Sequence, residues 1–424
     1  MPGMNRERVA VIGAGAAGLT AGYLLARRYE VMLFEADDRL GGHAHTHDVR
    51  TPDGRTIGVD SGFIVHNRRT YPNLVRLFDE LGITTRAAEM SMSVRCDGCG
   101  LEYAGARGTT GLFAQRTNLT RPAYLRMLGE VPRFHRHARR VLADPAAEDV
   151  TLGGFLAVGG YSRYFVEHFA LPLVSAVWSV DQHTGMRYPA RYLFAFLDHH
   201  GLLSVTGSPT WRTVVGGSRH YTERIVKEFA AVRLASSVRA VRRHADGVLV
   251  HDADGRQHEV ERVVIATHAD QALRLLADPG PAEHDVLGAF AYSRNDTVLH
   301  TDTTVLPEQP GAHASWNYRK PACAAGPNQV LVSYHMNRLM RLTEPADYLV
   351  TLNATDRIAA DRVLARMVYH HPIYTPESVT AQRRLPELTT KRTAYAGSYH
   401  GWGFHEDACA SGMRAAEAFG AGWA

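Results

Sequence analysis

RVAVIGAGAAGLTAGYLLARRYEVMLFEADDRLGG, residues 8–42, is the stretch that decides the fold. Residues 8–12 form a short β-branched run, residues 13–18 a glycine turn, residues 19–28 a helix pattern ending in basic residues, and residues 30–35 a second strand. Together they predict a βαβ unit. Gly13, Gly15 and Gly18 stand as G-x-G-x-x-G between strand and helix. The first permits a tight turn, the second lets backbone approach a pyrophosphate, and the third packs helix on strand. Ala16 and Ala17 fall inside this fingerprint, where helix N-terminal N–H groups bind phosphate. Glu35 stands twenty residues past Gly15, where a carboxylate accepts hydrogen bonds from an adenosine ribose. The agreement of strand, glycines, helix and acid predicts a dinucleotide site.

Working outward, 424 residues suit two interleaved domains with a sizeable core. Hydrophobic residues at 45% and charged residues at 21% are ordinary for a folded globular chain, which excludes extensive disorder. A formal net charge of +4 is too small to indicate nucleic-acid binding. Four cysteines offer no disulfide framework, so a reducing, cytoplasmic setting is expected. The segment 9–26 imitates a signal peptide, but its glycine spacing argues against one. No run reaches the roughly 18 apolar residues of a membrane span, so any membrane contact is expected to be peripheral.

Further along, a helix over 70–82 carries Leu74, Leu77, Phe78 and Leu81 at three-to-four spacing. Residues 121–200 read as a helical, aromatic-rich lobe with breaks at Gly153-Gly154, Gly159-Gly160 and Pro172. Residues 238–243, 247–251 and 258–267 alternate as strands, with a tight turn at Asp254-Gly255, and a helix runs on through Leu276. Between 292 and 386 a strand over 330–335 and a helix over 352–368 suggest a substrate lobe. No solenoid repeat is present.

The run Glu35-Ala36-Asp37-Asp38-Arg39-Leu40-Gly41-Gly42-His43 resembles the E-x-x-x-R-x-G-G extension of glutathione-reductase-like flavoproteins, especially the flavin amine oxidase and protoporphyrinogen oxidase superfamily. This implies an α/β fold, a glutathione-reductase-like FAD-binding Rossmann domain with an inserted α+β substrate domain, and FAD as a dissociable cofactor. Arg39 offers fork donors to phosphate, with a salt bridge to Asp37 or Asp38 as the alternative. Ala36, Gly41, Gly42 and His43 complete that binding segment, the glycines letting backbone lie against the ligand. By the same resemblance, Gly62, Phe63 and Ile64 lie along the flavin ring and Val238 meets the adenine. The C-terminal run 392–407 carries Gly397, Ser398, Phe404, His405 and Glu406 to the ribityl and ring, ahead of a helix over 408–419. His405 and Glu406 are the candidate catalytic residues; Asp407 is balanced against ordinary helix capping. No cysteine stands in Gly397-Ser398-Tyr399 for a covalent flavin link.

Several further motifs, among them Phe404-His405-Glu406-Asp407, Ser315-Trp316-Asn317-Tyr318 and His371-Pro372, are similar to one branch of that superfamily. It comprises predicted NAD/FAD-binding oxidoreductases often encoded beside cyclopropane-fatty-acid synthases. The resemblance implies hydride transfer at a fatty-acyl chain, with amine oxidation, double-bond isomerisation or reduction, and a scaffold role beside a methyltransferase or cyclopropane synthase as alternatives. Expected boundaries are 1–85, 206–275 and 387–424 for the FAD domain, and 86–205 and 276–386 for the substrate domain. Cys96-Asp-Gly-Cys99 reads as a hairpin turn, lacking partner ligands in sequence, and no metal site is expected. His43, His45 and His47 read as one face of a strand, and Trp178 and Trp316 as core.

Overall fold

The computed structural model describes residues 6–146, 150–204, 207–324 and 331–423. Of the expected boundaries, residues 1–5, 205, 206, 330 and 424 fall outside it. The chain begins with β1 (Arg8–Ile12), α1 (Ala16–Leu25) and β2 (Glu30–Phe34), followed by a hairpin of β3 (Thr46–Arg50) and β4 (Thr56–Asp60), and then α2 (Pro72–Glu80). A second hairpin, β5 (Met92–Cys96) and β6 (Leu101–Gly105), leads into a helical lobe. Its main helices are α3 (Pro122–Ala143), α4 (Leu152–Val158), α5 (Leu171–Trp178) and α6 (Ala190–His199). Next come β7 (Ala231–Arg233), the meander β8 (Val238–Arg243), β9 (Val248–Asp252) and β10 (Gln257–Val260), then β11 (Arg262–Ile265) and α7 (Ala269–Leu275). Strands β12 (Ala291–His300), β13 (Trp316–Lys320), β14 (Leu331–His335), β15 (Leu349–Leu352) and β16 (Val363–Ile373) follow, and β17 (Thr393–Tyr395) and α8 (His405–Ala418) end the chain.

Five strands form a parallel sheet in the order β7-β2-β1-β11-β17. A parallel sheet is covered on both faces, so β1 and β11 are fully buried along their apolar runs. Helix α1 packs on one face and is buried nearly all round. Its small residues admit the last helix closely: a side chain at Gly412 would overlap the carbonyl of Ala17, and Thr20 donates to Cys409 Sγ at 3.3 Å. The two ends of the chain therefore build one core.

The other large sheet has seven strands, β16-β12-β15-β14-β13-β5-β6, antiparallel except where β13 runs parallel to β5. It packs against the aromatic helical lobe. This is a mixed α/β architecture, a Rossmann-type FAD-binding fold with a substrate domain. Among the described residues no helix is long and apolar enough to cross a membrane.

Four expectations of element type or extent change. Residues 363–373 form β16 rather than part of a helix over 352–368: their exposure alternates, and they pair with β12 through ten residues, so partner strand outweighs local pattern. The segment 258–267 splits at Glu261 into β10 of the meander and β11 of the parallel sheet. Gly153-Gly154 breaks no helix; the pair lies in the first turn of α4, where Thr151 Oγ1 accepts from Gly154 N–H. Pro172 breaks no helix: it is the second residue of α5, into which the helical turn over Val166–Ala170 continues.

Candidate active site

The site starts from the glycines of the first turn. Gly13 has φ +102°, and a side chain there would stand 2.7 Å from the carbonyl oxygen of Ala266 on the neighbouring strand. Gly18 lies inside α1, where a side chain would overlap the carbonyl of Gly13. Gly15 differs from both: a Cβ there would meet nothing within 4 Å, because its face opens on a groove. The second glycine loop closes onto the first. Gly41 N–H donates to Ala14 O at 2.8 Å, and a Cβ at Gly42 would stand 3.2 Å from Gly15 Cα. Left-handed backbone at Gly41 and Gly42 makes this approach possible.

Glu35 accepts from Ala14 N–H at 2.6 Å and Asp37 N–H at 3.0 Å, which fixes its carboxylate at the edge of the groove. Arg39 donates to Gly42 O at 2.8 Å and also stands 3.5 Å from Asp37, the salt-bridge partner expected as its alternative. Val238, at the start of β8, borders the same groove.

The groove is one end of a cavity of about 1450 Å³ that runs on between the parallel sheet, the seven-stranded sheet and the helical lobe. Of the site residues expected from sequence, all but Gly18 and Glu406 line it. Gly18 is spent on packing α1 against the turn. Glu406 is a correction to the expected catalytic pair: its carboxylate turns out of the cavity and accepts from Asn73 N–H, Asn73 Nδ2 and Leu74 N–H at the start of α2. Asp407 takes the capping role, accepting from Phe404 N–H at 2.8 Å, and burial raises its carboxyl to about 7. The last helix begins at His405 rather than Ala408, so His405 opens its first turn at the cavity wall.

His405 stacks on Phe63 with ring centroids 3.8 Å apart, and its Nε2 lies 3.1 Å from the Tyr221 hydroxyl. Burial first, and His66 second, depress its pKa to about 3, so the imidazole is neutral near pH 7. Phe63 is held by its own N–H donating to His43 O at 2.7 Å, and a side chain at Gly62 would overlap that carbonyl. Gly397 N–H donates to Ser411 Oγ of α8 at 2.9 Å, which brings Gly397 and Ser398 to the same wall.

Sequence reasoning missed a group of aromatic and imidazole rings. His43 lies 4.8 Å from Tyr369 and 5.5 Å from His371, and His268 stacks on Tyr292 at 4.3 Å. Burial holds His268 and His371 down to about 4 and His43 well below its ordinary value. His43 Nε2 is buried without a protein partner beside the two glycine loops. The position of His268, just beyond the carboxyl end of β11, was the available signal, because open parallel sheets bind ligands there. His371 was marked only by the His371-Pro372 resemblance, and Tyr369 gave no signal, since β16 was not foreseen. His43 leaves the expected strand face; His45 and His47 stack at 3.9 Å, and His47 bonds Ser61 Oγ at 2.8 Å.

The far arm of the cavity is apolar. Met92, Leu128, Val131, Phe169, Leu173 and Val177 line it, together with Trp178 and Trp316, which also pack in or against the hydrophobic core as expected. Among the described residues, the charged side chains along the cavity are Glu35, Asp37, Arg39 and Arg274, all in the dinucleotide half. His135 and His200 stand in the apolar arm, and burial lowers each to about 4. Phe404 stacks directly on Phe196 at 4.7 Å, and Trp402 is not part of the lining.

Outside this cavity, Cys96-Asp-Gly-Cys99 forms the expected β5–β6 turn. The expectation that it lacks partner ligands is overturned, since the fold brings His168 and Cys323 to it.

An orphaned imidazole nitrogen, a glycine cradle open to the groove and a ribose-type carboxylate fit FAD. The family described as flavin containing amine oxidoreductase matches residues 16–317. A carotenoid phi-ring synthase of Streptomyces griseus is 28% identical over 325 residues, covering 72% of this chain and 61% of that protein. An (S)-6-hydroxynicotine oxidase of Paenarthrobacter nicotinovorans is 23% identical over 285 residues, covering 64% of this chain and 63% of that protein. The matches thus span a little over three fifths of these relatives. The solved structure of a "CLA-producing fatty acid isomerase from P. acnes" superposes with a TM-score of 0.70 at 15% identity, covering 98% of this chain and 99% of the other, and shows the common fold.

Proposed function

Because the chain belongs to the family of flavin-containing amine oxidoreductases, which are FAD-dependent oxidoreductases, we propose that it redoxes a fatty-acyl chain, moving hydride between a substrate carbon and flavin N5. The observation that carries this reading is the apolar arm continuous with the dinucleotide groove and, among the described residues, free of charged side chains. A long hydrocarbon chain gains by leaving water for such a space, roughly 0.8 kcal/mol per buried CH₂. A carboxylate or ester head would remain outside it.

FAD would be held without covalent attachment by Gly13, Gly15, Ala16, Ala17, Glu35, Ala36, Arg39, Gly41, Gly42 and His43, with Val238 at the adenine end. Gly62, Phe63, Ile64, Gly397, Ser398, Phe404 and His405 would border the ring. His405, neutral and fixed by Phe63 and Tyr221, would orient the ring and tune it through a hydrogen bond rather than carry a proton away. The apolar walls would exclude water and fix the chain against the ring. The domain division follows the segments 1–85, 206–275 and 387–424 for FAD and 86–205 and 276–386 for substrate.

The motif resemblance to the branch encoded beside cyclopropane-fatty-acid synthases supports the same substrate class and makes a methyltransferase of that kind the partner to test by co-purification. A lipid surface is a fitting source for the chain: α3 carries Arg126, Arg133, Arg136, Arg139 and Arg140, Leu125 on it and Leu119 just before it are exposed, and its Met127, Leu128 and Val131 line the cavity.

Amine oxidation is the second reading, favoured by the family. Against it stand the lack of a carboxylate in the apolar arm among the described residues and the direct stacking of Phe404 on Phe196, which leaves no slot between those rings for an amine. The deciding experiment mixes the yellow protein anaerobically with phospholipid extract or with a panel of amines and follows the flavin band. Bleaching by lipid supports acyl oxidation, and bleaching by amines alone overturns it. Bleaching by neither moves the protein to an isomerase or reductase that needs reduced flavin, or to a scaffold.

A further inference from the structure

Away from the cavity wall, four potential metal ligands converge from three separate parts of the chain. Cys96 and Cys99 come from the β5–β6 turn, His168 from a π-helical turn over Val166–Ala170 that runs into α5, and Cys323 from the segment after β13. All four donor atoms lie within 4.8 Å of one another. Cys96 Sγ is 3.8 Å from Cys323 Sγ, and Cys99 Sγ is 3.6 Å from His168 Nε2. A tetrahedral zinc ion with Zn–S near 2.3 Å and Zn–N near 2.0 Å places its ligand atoms about 3.8 Å (S to S) and about 3.5 Å (S to N) apart. The geometry points to a structural Zn²⁺ site of the Cys₃His type formed by Cys96, Cys99, His168 and Cys323.

The surroundings match what such a site needs. His168 Nδ1 is 3.1 Å from Tyr164 O, an acceptor only, so Nδ1 carries the proton and Nε2 presents its lone pair to the cysteines. The backbone N–H groups of Gly98 and Cys99 point at Cys96 Sγ and that of Leu101 at Cys99 Sγ, which stabilises thiolates. Three thiolates, one imidazole and Zn²⁺ carry a net charge of −1, the three thiol protons passing to solvent on binding.

Three features show that the segments are built to meet. A side chain at Gly98 would stand 2.8 Å from Cys323 N, so turn and segment touch backbone to backbone. Asp97 N–H donates to Lys320 O at 2.8 Å. The π turn that presents His168 is a rare form that recurs at functional positions. A disulfide between Cys96 and Cys323 would leave Cys99 and His168 without purpose. Four protein ligands close the coordination sphere, so the ion's work is to staple β5, β6 and α5, which supply Val94, Tyr103, Leu173 and Val177 to the apolar arm.

The test uses the full-length flavoprotein, purified without chelators or a polyhistidine tag, with metal measured by plasma mass spectrometry. About one zinc per chain is expected, released by a mercurial thiol reagent. Cys323→Ser should bind zinc roughly tenfold more weakly or worse while retaining flavin. Should that variant fail to fold, the native protein still decides: Cys96, Cys99 and Cys323 should be alkylated together only after chelator treatment. Cobalt in place of zinc should add absorption in the red, beyond the flavin bands. The assignment is overturned by substoichiometric metal after reduction and zinc addition, by equal alkylation with and without chelator, or by a Cys96–Cys323 disulfide in the native protein.

Discussion

Glu406, in the first turn of the last helix, accepts the backbone N–H of Asn73 at 3.0 Å and so caps α2 across the fold. Its side chain also takes Asn73 Nδ2 at 2.7 Å and Leu74 N–H at 3.0 Å. Two helices more than 300 residues apart in sequence are joined at their N-terminal ends by one carboxylate. Glu406→Ala should therefore cost stability, about 1–2 kcal/mol, through the uncapped donors of α2. Chemical denaturation checks the loss, and flavin reduction per bound flavin should stay near wild type. A large kinetic defect with unchanged stability would return Glu406 to the chemistry.

The glycines of the first turn should separate by role. Gly15→Val projects into the open groove and should give folded, colourless protein. Gly18→Ala drives a methyl group into the Gly13 carbonyl and should destabilise the fold itself, roughly 1–3 kcal/mol. Absorbance and thermal melting on the two variants distinguish these outcomes; full flavin in Gly15→Val would remove the groove as the cofactor site.

His405→Ala should keep the flavin and slow its reduction, since the ring is fixed at the cavity wall by Phe63 and Tyr221. With its pKa held to about 3, His405 should add no titration to the reduction rate between about pH 5 and 8. A step near pH 6.5 that vanishes in the variant would show a proton-carrying His405.

Stability should fall as the solution is acidified. His66, His200, His268, His371 and His405 are held neutral by burial, at about 4 or below, whereas the unfolded chain takes up their protons near 6.5. The unfolded state thus binds more protons below about pH 6.5, and the contribution present above that value is lost as pH drops towards 4. Asp60, raised to about 6, and Asp407, raised to about 7, act in the opposite sense but are fewer. Melting temperature measured from pH 7.5 to 5 should decline; a rise would mean that the carboxyls dominate.

Val177→Trp should fill the apolar arm without touching the dinucleotide groove. Flavin content should hold while bleaching by long acyl chains drops at least tenfold, and the binding of short alkyl compounds should suffer less. Equal loss for short and long compounds would place the chain elsewhere.

Acid precipitation should leave the yellow colour in the supernatant. Gly397-Ser398-Tyr399 offers no thiol at the wall, and Cys409 lies buried in α8 against Thr20 rather than on the cavity. Colour retained in the pellet would indicate a covalent link.

The sequence by itself determined the dinucleotide half. Gly13, Gly15, Gly18, Glu35 and Gly41-Gly42 act through backbone conformation and local spacing, which a linear chain displays directly. It also marked His405, because a short motif and a following helix are local features. Tertiary structure alone decided the rest. It turned Glu406 to α2, since the partner lies more than 300 residues away and no spacing encodes that distance. It made residues 363–373 a strand, because ten residues of β12 were waiting to pair with them. It gathered Cys96, Cys99, His168 and Cys323 from three segments, and assembled an apolar arm from helices and strands whose side chains looked like ordinary core. Local rules set what each segment can do; long-range packing chose which side chains face one another.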